Sequence, residues 1–343
     1  MNRNQTPVTQ VAVHPLSCGS AYDAATKAVE RPWLLLSRGK SLTCLPKIDL
    51  GRFPPYLYAA PVVAIFSTDR EAAVVSRRQA QFVQMVTLLC LIPCVGCARM
   101  MNVHWSDRRD HGYTLVLNGI ESAHLCHAAF VAGLRSGGVQ SEIEIVDWTT
   151  GTAAMMLVHL RAETRNRYIA DQVAAKIVAY QDQYPGRPVN LVGHSGGGGM
   201  ILLILDALPP DRQVDSAVLL AAAISPLYDL RPSLSKVERG IWNYSSCVGD
   251  SPLLIAGTTA FGTIDGRHMP SAGAIGFHIP STASTADRHL YHSKLIECPY
   301  RLRMALNGNL SDHYGPMNPL FARNELAPIL AGDVGSCNTT SFR

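Results

Sequence analysis

From residue 113 onward, short apolar runs recur along the chain and predict the strands of a sheet. Most of these runs are nearly continuous, as expected for strands covered on both faces, whereas residues 141–146 alternate apolar with polar positions. The segments predicted as strands are 113–117, 141–146, 189–192, 217–224, 241–245 and 274–277. No internal repeat accompanies them.

Helical spacing fills the intervals between these strands. Ile169, Val173, Ile177 and Tyr180 recur every three or four residues, and Tyr184-Pro185-Gly186 ends that pattern. Further helices are predicted at 125–134, 200–208 and 319–330. Strands that alternate with helices indicate an α/β protein with a doubly wound, mostly parallel sheet flanked by helices, which binds its ligands at the carboxyl ends of the strands.

The N-terminal quarter follows a different pattern. Residues 1–75 mix Pro, Gly, Arg and short apolar patches without periodicity, which predicts a poorly structured leader. A second reading is that translation starts near Met85 and that this leader is an artefact of start-codon choice. The expected organisation is therefore a leader at 1–75, a signal-like segment at 76–97, an α/β domain at 110–332 and a flexible tail at 333–343.

The segment 82–97 has the composition of a secretion signal. A basic pair, Arg77-Arg78, precedes about a dozen apolar residues, which are too few to span a bilayer. Val95-Gly96-Cys97 resembles the end of a bacterial lipoprotein signal, in which the cysteine becomes lipidated, although Cys94 stands where that motif usually has leucine. The resemblance implies an exported protein attached to a membrane through Cys97. The alternative is a buried helix at 82–93 in a cytoplasmic protein.

Composition and charge restrict the partners. Apolar residues make up 47% of the 343 residues and charged residues 16%, which suffices for a large core. The net charge is +4, but residues 1–84 alone carry +5, so the α/β region has no basic excess to indicate nucleic-acid binding. Cys94-x-x-Cys97 lacks a second Cys/His pair at zinc spacing, so no metal or cofactor is predicted. Disulfides among Cys126, Cys247, Cys298 and Cys337 are left open.

The segment Gly193-His194-Ser195-Gly196-Gly197 carries the clearest chemical signal. It lies between a predicted strand and a predicted helix, the context that a G-x-S-x-G nucleophile elbow requires. A sharp turn at Ser195 brings Gly193 and Gly197 together, and only glycine leaves room there. A phosphate-binding turn and a purely structural turn are the alternatives. The dinucleotide fingerprint needs no serine, and no Gly-Lys-Ser/Thr follows to make a P-loop.

Residues 113–330 resemble the α/β-hydrolase superfamily, in which the nucleophile precedes an acid and then a histidine. The resemblance places the histidine before the last helix, at His313, rather than at His268, His278, His289 or His292. It places the acid after the strand at 242–246, which selects Asp250. Asp229 and Asp265 remain as alternatives.

The same resemblance implies an oxyanion hole and an activity. One N–H should come from Gly196 and the other from Ile120 in Asn118-Gly119-Ile120, although this turn lacks the usual His-Gly form. The expected activity is hydrolysis of an ester, thioester or amide, on a small-molecule or lipid-like acyl substrate. An acyltransferase with the same triad and a non-catalytic membrane-anchored binding protein remain alternatives. Asp147 to Gly151 could shape the pocket, and the segments 226–240 and 262–300 could hold a cap.

Overall fold

The computed structural model describes residues 108–122 and 125–333. The predicted leader, the signal-like segment with Cys97 and residues 334–343 of the predicted tail lie outside these residues. Six parallel strands form one sheet in the order β2-β1-β3-β4-β5-β6. They are β1 Tyr113–Leu117, β2 Glu142–Val146, β3 Val189–His194, β4 Val214–Leu220, β5 Val237–Ser245 and β6 Leu295–Pro299. The predicted α/β class with a parallel, doubly wound sheet is confirmed.

Helices cover both faces of this sheet. The α-helices are α1 Leu125–Ser136, α2 Met156–Arg161, α3 Glu163–Gln183, α4 Gly196–Ala207, α5 Arg231–Ser235, α6 Thr258–Phe261, α7 Ala272–Ile275, α8 Thr285–Lys294, α9 Pro319–Phe321 and α10 Ala327–Ala331. Shorter 3-10 turns lie at Arg109–His111, Ala153–Met155, Leu302–Asn307 and Gly315–Met317, and π-helical turns at Pro252–Gly257 and Ala322–Leu326. In the described part of the chain, no helix combines the length and apolarity needed to cross a membrane.

Alternate residues of the strands enter two separate cores. Leu115 and Leu117 of β1 pack with α3 and α4 on one face, whereas Val116 packs with α1 and α10 on the other. This division follows from the two-residue period of a strand, which sends neighbouring side chains to opposite faces. The near-continuous apolar runs of the sequence therefore reflect a sheet that is buried on both sides.

The strand order reverses direction between β1 and β3. The chain leaves β1 through α1 toward β2 at one edge, and from β3 onward it proceeds through β4 and β5 to β6 at the other edge. Loops that leave β1 and β3 therefore diverge and open a crevice at the carboxyl ends of these strands, where α/β sheets bind ligands. The loop 118–122 and Ser195 both lie at this switch point.

The sequence interpretation fails at three elements. The prediction of a strand at 274–277 is wrong, because this segment overlaps helix α7 and the last strand is β6. Residues 221–224 do not continue β4: they turn under Ser195, and the Ala223 N–H donates to the Ser195 carbonyl at 2.9 Å. The helix predicted at 319–330 is interrupted by a π-helical turn ahead of Pro328, which cannot donate a helical hydrogen bond.

The segment 262–300, one of the two predicted cap positions, contains part of the sheet; a cap in its remaining residues stays a prediction. It contains α7, α8 and β6, so about half of it forms regular elements of the sheet and its covering layer. Within 226–240, α5 and the start of β5 likewise belong to the core layers.

Candidate active site

Ser195 occupies the strained turn between β3 and α4. Its φ and ψ are 53° and −120°, a backbone conformation that non-glycine residues seldom adopt. The turn is held by the Ser195 N–H, which donates to the Leu220 carbonyl at 2.9 Å. A Cβ on Gly193 would lie 2.6 Å from the carbonyl carbon of Gly197, and one on Gly197 would lie 2.6 Å from the Leu117 carbonyl oxygen. The glycines of the motif are therefore required by close backbone packing, as the sequence pattern predicts.

His313 and Asp250 form a hydrogen-bonded pair beyond the carboxyl end of β5. The distance from His313 Nδ1 to Asp250 Oδ2 is 2.7 Å, and Asp250 is almost fully buried. Because a carboxylate oxygen accepts, Nδ1 of a neutral His313 carries the hydrogen and Nε2 keeps its lone pair. This tautomer is the one that can take a proton from a serine hydroxyl.

The electrostatic surroundings of His313 favour its protonated form. Burial lowers the pKa of His313, but the charge and hydrogen bond of Asp250 raise it. Glu121 and Asp312 also raise it, and the resulting pKa lies above the usual histidine value. A buried imidazole with a carboxylate partner can therefore accept a proton during a reaction and be stabilised while it carries the charge.

Ser311 joins the loop of His313 to the loop of Asp250. Its Oγ lies 2.5 Å from Ser246 Oγ and accepts from the Gly249 N–H at 3.0 Å. Ser311 itself has a φ of 75°, and its N–H donates to the Asn309 side chain at 3.1 Å. These bonds fix the separation of the two loops that carry the acid and the histidine.

The two other candidate acids have different partners. Asp229 forms an ion pair with Arg231 at 2.6 Å on an exposed surface. Asp265 accepts from the Ser225 N–H at 2.9 Å and from the Thr263 hydroxyl at 2.6 Å. Both carboxylates stabilise turns, and only Asp250 of the three is hydrogen-bonded to His313.

His194 connects the elbow to the loop of His313. Its Nε2 lies 2.8 Å from the backbone oxygen of His313, and the two imidazole rings lie 4.7 Å apart between centroids. Since His194 directly precedes Ser195, this contact brings His313 to the nucleophile turn. The structure contains no hydrogen bond between Ser195 Oγ and His313. Such bonds are often long before substrate binds.

The two amides predicted for the oxyanion hole lie on adjoining backbone segments. A Cβ built on Gly196 would lie 2.6 Å from Ile120 Cγ2 and 3.0 Å from the Trp148 ring, so these residues pack directly against the start of α4. Neither the Gly196 nor the Ile120 N–H donates a hydrogen bond within the part of the chain that the structure describes. The Gly196 N–H at the N-terminus of α4 and the Ile120 N–H in the loop after β1 are thus two unused donors that can stabilise developing negative charge.

Trp148 and His159 hold the loop that carries Ile120. Trp148 Nε1 donates to the Asn118 carbonyl at 2.7 Å, and His159 Nδ1 donates to the Ile120 carbonyl at 2.9 Å. His159 Nε2 in turn accepts from Thr150 at 3.0 Å, which fixes the neutral tautomer, and burial lowers the pKa of this imidazole. Trp148 and Thr150 belong to the segment 147–151; that this segment shapes a pocket stays a prediction. His159 was missed because it lies 39 residues from Ile120 in sequence and belongs to no motif.

Comparisons with known proteins add only distant likenesses. No family model matches the chain, and no curated protein matches it. Among solved structures, it is similar to a predicted CIB-like hydrolase from Thermoplasma acidophilum, with 12% identity, a TM-score of 0.38 and coverage of 67% of this chain and 91% of that one. An acetylxylan esterase shares 12% identity with a TM-score of 0.33, over 63% and 98% of the two chains. A putative thioesterase from Silicibacter shares 13% identity with a TM-score of 0.34, over 77% and 95%. At such low scores, the description of the fold rests on the sheet itself.

Proposed function

We propose that this chain is a serine hydrolase that cleaves a carboxylic ester, or a thioester or amide, through an acyl-enzyme. The observation that carries the proposal is the positive φ of Ser195 at the junction of β3 and α4. Strain of this kind persists only where the surrounding structure enforces it, and it clusters at catalytic positions. The buried Asp250–His313 pair beside the same turn supplies the base that a serine needs.

The proposed reaction uses four parts of the site. Ser195 Oγ attacks the acyl carbon while its proton passes to His313 Nε2, and Asp250 stabilises the resulting imidazolium. The Gly196 and Ile120 N–H groups bind the oxyanion of the tetrahedral intermediate. When the intermediate collapses, His313 returns the proton to the leaving group. Water then repeats the cycle on the acyl-enzyme, releasing the acid and free Ser195.

A fluorophosphonate probe tests the nucleophile directly. The full-length chain should become labelled with one phosphonyl group, whereas Ser195→Ala should not be labelled. The control is Ser281→Ala, which removes an exposed serine on another loop and should be labelled as the wild type is. Hydrolysis of a reactive ester should fall by about 10⁴-fold or more in Ser195→Ala. Intact-mass spectrometry and initial rates give the two readouts. A folded wild-type chain that resists the probe and hydrolyses no ester would overturn the proposal in favour of a non-catalytic protein.

The acyl acceptor and acyl length need separate measurements. Activity on p-nitrophenyl esters of increasing chain length separates a short-chain esterase from a lipase-like enzyme. Added alcohols separate a hydrolase from an acyltransferase, because a transferase forms a new ester at the expense of the free acid.

Export and membrane attachment through Cys97 form an independent part of the proposal, resting on the residues 82–97. Cys247 and Cys298 are both disulfide-bonded, and disulfides persist mainly in oxidising compartments, which supports export. Mass spectrometry of the chain from its native membrane fraction should find a lipid-modified N-terminus at Cys97. An unmodified chain that continues through Cys97 would contradict the proposal.

A further inference from the structure

Three metal-ligating side chains converge behind the nucleophile turn. Glu121 follows β1, His127 lies on α1 and His194 ends β3, and one ligand atom of each lies within 4.8 Å of the other two. His127 and His194 are buried, and the Glu121 side chain is 12% exposed. The proposed hydrolysis assigns these three side chains no chemical step.

The hydrogen bonding of His194 fixes which ring nitrogen faces this cluster. The His313 carbonyl can only accept, so Nε2 of His194 carries the hydrogen in the 2.8 Å contact. In the neutral ring, Nδ1 then presents a lone pair. That atom is buried, makes no hydrogen bond and lies 3.7 Å from Glu121 Oε1. A lone pair and a carboxylate oxygen repel each other unless a proton or a metal cation lies between them.

We propose that Glu121, His127 and His194 bind a divalent transition-metal cation, with Zn²⁺ as the favoured ion. Two imidazole nitrogens and one carboxylate oxygen form a donor set that Zn²⁺ binds at about 2.0–2.2 Å. Tetrahedral bonds of that length place ligand atoms about 3.3 Å apart. The separation of 3.7 Å between His194 Nδ1 and Glu121 Oε1 needs a contraction of a few tenths of an ångström. The His127 ligand atom lies within 4.8 Å of both, so its side chain would have to move by up to about 1.5 Å toward them.

The position of the cation would give it a structural role in the site. Glu121 directly follows Ile120, and His194 directly precedes Ser195, so one ion would join the oxyanion loop to the elbow. His127 would add α1 to the same point. Binding should therefore stabilise the folded chain, since a ligand that binds only the folded state raises its stability by mass action.

Metal content of the tag-free, full-length chain tests the site without reference to catalysis. The protein is incubated with excess Zn²⁺, passed through a desalting column and measured by inductively coupled plasma mass spectrometry. We expect about one Zn²⁺ per chain in the wild type. Glu121→Gln and His127→Gln should each bind Zn²⁺ at least tenfold more weakly. His289→Gln, a control on the exposed face of α8, should bind Zn²⁺ as the wild type does. Competition with a chromophoric chelator gives the affinities.

Three results would overturn the proposal. The first is a folded wild-type chain that retains neither Zn²⁺ nor Co²⁺. The second is retention by Glu121→Gln equal to that of the wild type. The third is a Co²⁺-loaded chain whose visible spectrum is that of the hydrated ion. If circular dichroism shows that His127→Gln does not fold, the affinity of Glu121→Gln and the Co²⁺ spectrum of the wild type decide whether the proposal stands. Failure of fluorophosphonate labelling would leave the metal result unaffected.

Discussion

The two halves of the candidate site are built in different ways. The elbow around Ser195 is made of backbone packed against backbone, with Gly193 and Gly197 in places where a Cβ would overlap main-chain atoms. The acid and histidine are carried by loops that side-chain hydrogen bonds hold together, chiefly those of Ser311. The first half tolerates no added atom, whereas the second depends on particular polar groups. Substitutions in the elbow should therefore reduce the stability of the fold. Substitutions in the loops of Asp250 and His313 should instead reduce catalysis or change its pH dependence.

The largest effect should come from Asp250→Asn in the half held by side chains. An amide cannot stabilise the imidazolium and favours the wrong tautomer of His313, so kcat/KM should fall by about 10³–10⁴-fold with little loss of stability. Asp229→Asn, which removes an exposed ion-pair partner, should leave kcat/KM within about twofold of the wild type. Ester hydrolysis by both variants provides the measurement. Equal losses in the two variants would remove Asp250 from the proposed triad.

Gly197→Ala in the elbow should have the next largest effect, and this effect should be on the stability of the fold. The new Cβ would lie 2.6 Å from the Leu117 carbonyl oxygen, which is fixed in β1, so the free energy of unfolding should fall by about 3 kcal/mol or more. Gly257→Ala is the matched control, because Gly257 has helical φ and ψ and its Cβ would meet its nearest neighbour at an ordinary 3.5 Å. Urea denaturation of both variants checks the difference. A Gly197→Ala chain as stable as the control would show that the elbow can shift.

The smallest effect concerns pH and the partly buried carboxylate of Glu297 in β6. Burial raises the pKa of Glu297 to about 7, although the Phe277 N–H and the Asn243 amide donate to it at 2.7 and 2.8 Å. The unfolded chain releases this proton near the ordinary glutamate pKa of 4.5, so the folded state binds more protons between pH 4.5 and 7. Stability from this group is present below pH 4.5 and is lost as pH rises through 7.

Glu297→Gln should remove this pH dependence, which amounts to at most about 3 kcal/mol. Glu238→Gln, at an exposed position of β5, should retain the wild-type profile. Thermal unfolding of the three proteins between pH 4.5 and 8 makes the comparison. If the stability of Glu297→Gln changed with pH in the same way as that of the wild type, a group other than Glu297 would be the cause of the pH dependence.

Local patterns in the sequence were sufficient for the sheet class and the elbow, because both depend on residues close together in the chain. Residues 113–117 were predicted as a strand with the observed bounds, and Ser195 was placed correctly between a strand and a helix. The predicted end of β4 was wrong because Ala221 to Ile224 are apolar and buried, although they bond to the elbow and to residues 244, 264 and 272 rather than extending the strand.

These local patterns could not predict contacts between segments that are distant in the sequence. Strand β6 has a weak apolar signal because it lies at an edge and contains Glu297, whose carboxyl group accepts hydrogen bonds from Asn243 and Phe277. The cluster of Glu121, His127 and His194 likewise spans three elements and has no ligand spacing that a sequence motif could reveal. The catalytic roles of Ser195, Asp250 and His313 stay predictions, although Asp250 and His313 are hydrogen-bonded to each other.

The sheet order has a further consequence for association between copies of the chain. Both edge strands contain glutamates: Glu142 and Glu144 in β2 are ion-paired with Arg109 and Lys176, and β6 contains Glu297 followed by Pro299. A foreign strand that paired with either edge would approach acidic groups, and at β6 it would also meet a residue without an N–H to donate. Within the described residues, both ends of the sheet thus carry groups that disfavour the edge-to-edge pairing that begins aggregation.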